Sequence, residues 1–152
     1  IRGRSQTSGN GSMTQLIDAA TLAISDSELS RLLDEAAEFC RREGRTKIER
    51  RRRNRYAFDR ALTITRITEE GASAGEPIAA LARDISLWGI SLSAVGRYTR
   101  HDRLLVNLTI PRPDRRYRRI QLLVEVRHVK LEPTGDCTLG CVFLETLYSD
   151  TQ

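Results

Sequence analysis

A chain of 152 residues can bury a full core and suits one domain with some additional structure. Its composition, 39% hydrophobic and 30% charged, contains no run of about 18 apolar residues and so excludes a helical membrane span. The formal charge of +5 hides an asymmetry: from Arg41 to Arg60 ten basic residues face three acidic ones, a local charge of +7, and the remainder is slightly acidic. Positive charge gathered in one short stretch points to a phosphate-bearing partner at that place.

Residues 1–12 read as a linker left by cloning, ahead of a native start at Met13. They lack the apolar stretch of a secretion signal, so the cytoplasm is the expected compartment. Residues 13–46 form an N-terminal extension. Within it, Ser25-Asp26-Ser27-Glu28 has the spacing of a helix capping box. Leu29, Leu32, Leu33, Ala36, Ala37 and Cys40 follow at helical intervals, which predicts an amphipathic helix over about 26–42 with Gly44 as its stop. Such a helix must dock, on its own domain or on another chain.

After the arginine-rich stretch the apolar period changes from helical to alternating. Ala61–Ile67, Ile78–Arg83, Gly89–Val95, Arg103–Ile110, Arg119–Leu131 and Thr138–Leu144 read as strands. Residues 69–77, Pro111-Arg112-Pro113-Asp114 and 132–136 supply turn signals between them. Six short strands without intervening helices predict a mainly β fold, an antiparallel barrel or sandwich, over residues 47–147, with 148–152 as a tail. Cys40, Cys137 and Cys141 are an odd number, which argues against a disulfide framework. Cys137 and Cys141 lack a second ligand pair, so buried thiols are expected and no metal site.

Two stretches carry chemistry. The first is Glu49-Arg50-Arg51-Arg52-Arg53-Asn54-Arg55-Tyr56. Arginine offers a planar fork that can pair with a phosphate or with the O6/N7 edge of guanine, and the same plane can stack on a purine. Taken alone, the stretch fits a solvated basic linker or a nucleic-acid arm equally well. The second is Asp84-Ile85-Ser86-Leu87-Trp88-Gly89, between two predicted strands. Its aspartate can accept from the N1 and N2 donors of guanine, its serine adds a hydroxyl, and its glycine permits close backbone approach. Alone, it reads first as an Asx or Ser turn between strands, closed by Gly89.

In this order the two stretches resemble the PilZ domain family, marked by an R-x-x-x-R element and a later D/N-x-S-x-x-G element. Arg51-Arg52-Arg53-Asn54-Arg55 fits the first and Asp84 to Gly89 the second, and Leu139-Gly140-Cys141-Val142-Phe143 looks like the family's closing strand. The resemblance implies a six-stranded antiparallel barrel, here with an N-terminal amphipathic helix, that binds cyclic di-GMP. It further implies that Arg51 and Arg55, assisted by Arg50, hold phosphates and guanine faces. Asp84 and Ser86 would bond one guanine and the adjacent backbone, and Gly89 would give clearance. Four consecutive arginines leave the register open by one residue, so Arg52 can share a role. Trp88 either stacks on a guanine or packs at the barrel lip or against the helix.

The implied protein is a receptor or effector, with no cofactor, no catalytic site and a downstream protein partner. Binding would rearrange the arginine arm and the helix. A basic nucleic-acid-binding module and a ligand-free scaffold for protein contacts are the alternatives. Arg112, Arg115, Arg116, Arg118 and Arg119 read as a solvated hairpin, and His101 and His128 have no carboxylate companion in sequence.

Overall fold

A computed structural model describes residues 22–43, 55–112, 114 and 116–151. The expected start at Met13, the Gly44 stop and the run Arg50–Arg53 lie outside the described residues, as do Pro113 and Arg115. Along the chain come β1 (Leu22–Ala23), α1 (Asp26–Glu43), β2 (Tyr56–Ile67), β3 (Ile78–Ile85), β4 (Gly89–Val95), β5 (Arg103–Pro111), β6 (Tyr117–Leu131) and β7 (Asp136–Thr151).

The sheet runs β1-β2-β3-β4-β7-β6-β5, and β5 also pairs with β2 from Thr63↔Asn107 to Ile67↔Arg103. That last pairing closes the six long strands into an antiparallel barrel, and closure removes the exposed edges of an open sheet. β1 is a short parallel addition to the start of β2. Alternation along each strand sends Leu62, Ile64, Leu92, Leu104, Val106, Leu122, Val124 and Leu139 inward, where they form one core. Among the described residues no helix is long and apolar enough to cross a membrane.

Two strands exceed their predicted lengths by five residues or more, for identifiable reasons. β2 begins at Tyr56, five residues before the predicted Ala61, because Arg60 interrupts the apolar alternation between Phe58 and Leu62 and the register shifts between Ala57 and Arg60. Its guanidinium bonds the Asp26 carboxylate on α1, which offsets the charge there. β7 runs past Leu144 to Thr151, so residues 148–151 continue the strand opposite Tyr117–Ile120 and are not a tail. A register shift between Leu123 and Val124 on β6 breaks the alternation near Phe143, where sequence patterning loses the strand. At its far end β6 outruns β5, whose ladder stops at Arg103↔Glu125, while β6 stays paired with β7 to Leu131↔Cys137.

α1 is capped as its sequence predicts: the Ser25 Oγ accepts the Glu28 backbone N–H at 3.2 Å. Asp26 and Glu28 in the first turn complement the helix dipole. Its apolar stripe docks in cis, with Leu29, Leu33 and Ala36 fully buried in the barrel's own core cluster alongside Phe58, Ile110, Ile120 and Phe143. The helix therefore stoppers the barrel end where β2 and β6 begin and β3 and β5 finish. Arg118, expected to be solvated, instead reaches α1: it donates to the Ser30 hydroxyl and lies 3.1 Å from the Asp34 carboxylate. Beside it, the Arg112 N–H donates to the Arg116 carbonyl and the Arg116 N–H to Asp114.

Leu33→Ala removes a fully buried side chain from the contact between helix and barrel. It is expected to destabilise the fold by about 2–5 kcal/mol, read as a lower urea midpoint with an unchanged slope.

Candidate functional site

Antiparallel pairing of β2 with β3 sets Tyr56 opposite Ile85 and Ala57 opposite Asp84. The residue just before β2, Arg55, thereby meets the second motif: its Nη1 lies 3.6 Å from the Asp84 Oδ1. Both side chains keep access to solvent, 41% exposed for Arg55 and 32% for Asp84, so a ligand can reach each of them. Burial pushes the Asp84 carboxyl above the ordinary aspartate value of 3.8, while the guanidiniums of Arg55 and Arg83 pull it down. The pair is thus a half-buried acceptor beside a half-buried donor fork, placed on the barrel end that α1 covers.

Asp84 and Ile85 end β3, and Gly89 begins β4, so the motif forms the hairpin between these strands. The Ser86 N–H donates to the Gly89 carbonyl at 2.9 Å and closes it. The Ser86 Oγ accepts the Trp88 N–H at 3.1 Å and the Gly89 N–H at 3.4 Å. With its oxygen engaged by the turn, the hydroxyl still has its own proton to donate. The Trp88 ring meets Phe39 of α1 edge to face, with centroids 4.6 Å apart and planes at 89°. Its carbonyl accepts the Phe143 N–H of β7 at 2.9 Å.

The fold itself requires a residue without a side chain at Gly89. A Cβ at this position would stand 2.0 Å from the Cys141 carbonyl oxygen, so β7 passes too close for any side chain. Of the arginines expected at the site, Arg55 is among the described residues; Arg50, Arg51 and Arg52 are not. Sequence patterning did not single out Phe39. Its position three residues after Ala36, at the margin of the apolar stripe, is the signal that was there to read.

Two other places gather titratable or nucleophilic side chains. At the opposite barrel end a depression of about 630 Å³ is lined by Arg66, His101, Asp102, Arg103 and Glu125 among others. Arg66 is committed there, 3.3 Å from Asp102 and 4.5 Å from the Tyr98 ring centre. His101 does have a carboxylate companion, Glu125 at 2.9 Å, supplied by a strand distant in sequence. Cys137 and Cys141 are buried, free thiols, and burial pushes Cys141 up to about 12.

Comparison with known proteins gives a match to the family described as PilZ domain over residues 49–150. The solved structure of Bacillus subtilis inhibitor of motility (MotI/DgrA) is similar, with a TM-score of 0.48 at 21% identity, covering 68% of this chain and 48% of that one. The chain thus spans about half the length of that protein. No curated protein matches it.

Gly89→Ala is expected to force β4 away from β7 and to cost about 1–3 kcal/mol in urea unfolding. Asp84→Asn should behave in the opposite way. A carboxyl whose folded value is raised binds its proton more tightly in the native state, so stability falls as the pH climbs from 3.8 through the raised value. Asp84→Asn is therefore expected to melt no lower than wild type at neutral pH. The difference should close below 3.8, as followed by thermal melts across pH.

Proposed function

The chain belongs to the PilZ domain family, and from that premise we propose that it is a receptor for cyclic di-GMP, binding at the barrel end formed by Arg55, Asp84, Ser86 and the Trp88–Gly89 turn. The observation that carries this reading is the 3.6 Å approach of Arg55 to Asp84. The last residue of the arginine element and the first of the aspartate–serine–glycine element, separated in sequence by all of β2 and β3, meet in one place.

Their chemistry suits a ligand that carries both guanine and phosphate. The Arg55 fork offers paired donors to a phosphate or to guanine O6 and N7. Asp84 offers an acceptor to guanine N1 and N2, the complementary edge. The two groups face each other at 3.6 Å; a cyclic dinucleotide would give each a fuller partner. The Ser86 hydroxyl oxygen already accepts two N–H groups of the turn, and its own proton remains to donate to a ligand. Arg50 and Arg51, with Arg52 sharing the register, would complete the grip on the phosphates, and Gly89 would keep the hairpin tight against β7. On this reading the chain is a binding module and not an enzyme, needing no cofactor and acting on a downstream protein.

The effector step follows from connectivity. α1 ends at Glu43, and the arginine stretch enters β2 at Tyr56. Arginine–phosphate bonds that order this stretch would also fix how it leaves the helix, a known means of turning ligand binding into movement.

Calorimetry with cyclic di-GMP tests the proposal, with cyclic di-AMP and GTP as comparisons. Wild type is expected to bind cyclic di-GMP selectively at micromolar protein. Arg55→Ala and Asp84→Ala should each weaken binding by about ten- to a hundredfold, the loss of one charged hydrogen bond. No heat from wild type would overturn the proposal. Binding that survives Asp84→Ala and collapses with salt would instead mark a general polyanion surface.

A further inference from the structure

The second motif is in contact with more than a ligand. Its Trp88 touches three parts of the fold at once. Its N–H is held by the Ser86 hydroxyl at 3.1 Å, its carbonyl accepts from Phe143 of β7, and its ring rests edge-on against Phe39 of α1. The backbone of residues 86–89 is therefore fixed on one side by β7 and on the other by a helix that lies outside the motif. Leu87, the neighbouring residue of the turn, is likewise packed against the core cluster to which α1 contributes Leu29, Leu32, Leu33 and Ala36.

We propose that Phe39 is a positioning residue for the ligand site, acting through Trp88, so that docking of α1 and binding at the Asp84–Gly89 hairpin favour one another. The inference rests on the cyclic di-GMP reading and adds to it a direction of regulation. Phe39 makes no use of the ligand itself. It sets the Trp88 ring, and the Trp88 N–H holds the Ser86 hydroxyl oxygen. Loss of the ring edge leaves Trp88 free to turn, and the hairpin must then be ordered at the moment of binding. Linkage is reciprocal: if a docked helix tightens binding, bound ligand tightens helix docking by the same factor.

Trp88 is the sole tryptophan of the chain, so intrinsic fluorescence reports this contact directly. Phe39→Ala is expected to red-shift the emission of the free protein and to weaken cyclic di-GMP by about two- to tenfold, the range of an aromatic pair of this geometry. Phe39→Leu, which keeps apolar volume for the fold but lacks the ring, should weaken binding similarly and carries the test if Phe39→Ala unfolds. Phe39→Tyr should bind as wild type. Hydrogen exchange of the α1 amides should slow with ligand in wild type and less in Phe39→Leu. Affinity in Phe39→Leu that equals or exceeds wild type would overturn the coupling while leaving the ligand reading intact. Absence of binding by wild type would overturn the ligand reading and the coupling with it.

Discussion

Strand β2 is paired along both of its edges, and the rest of the molecule depends on that. Against β3 it sets Ala57 opposite Asp84 near its start, and against β5 it sets Ile64 opposite Val106 farther along. The first pairing brings Arg55 to the hairpin of the second motif. The other pairing closes the barrel and so fixes where the ends of all six strands stand. Neither motif could form half of a site in an open sheet whose first strand could drift. The register bonds are individually modest, about 0.5–1.5 kcal/mol net. Together with the interior side chains they leave one arrangement in which both edges of β2 are paired.

A barrel fills its own interior but leaves its two ends to be covered. At one end α1 does this with a fully buried stripe, and polar contacts hold it at the helix's N-terminal half: Arg60 to Asp26, and Arg118 to Ser30 and Asp34. At the helix's other half the tie is aromatic, Phe39 to Trp88. The division has a physical sense. Partly exposed ion pairs contribute little stability but fix orientation, whereas the aromatic contact lies beside the residues with ligand chemistry. The opposite end closes differently, with Arg66 laid over Tyr98 and bonded to Asp102.

Much of this was legible in residue patterns, and the failures have common causes. The capping box, the helical stripe and β4 stood out because local periodicity and tertiary role agree there. β2 and β7 were read short because a register shift breaks their alternation, and Arg60 interrupts the apolar pattern only because Asp26 meets it. The site was legible as two motifs, since spacing in sequence survives folding. The partners of those motifs were not. Phe39 with Trp88, Arg118 with Asp34, and His101 with Glu125 join residues far apart in the chain. Gly89 shows the subtler limit: the sequence marks a place that needs no side chain, but only the fold shows that the obstacle is the Cys141 carbonyl.

The overhang of β6 bears on how the protein behaves among its own copies. From Arg127 to Leu131 the strand keeps β7 on one side and has run past the β5 ladder on the other. Leu131 is 70% exposed, and a bare stretch of this kind is a template on which another chain could add strand upon strand. The segment reads Arg-His-Val-Lys-Leu. An identical copy added in parallel and in register would set Arg127 against Arg127 and Lys130 against Lys130, so stacking of that kind is opposed by charge.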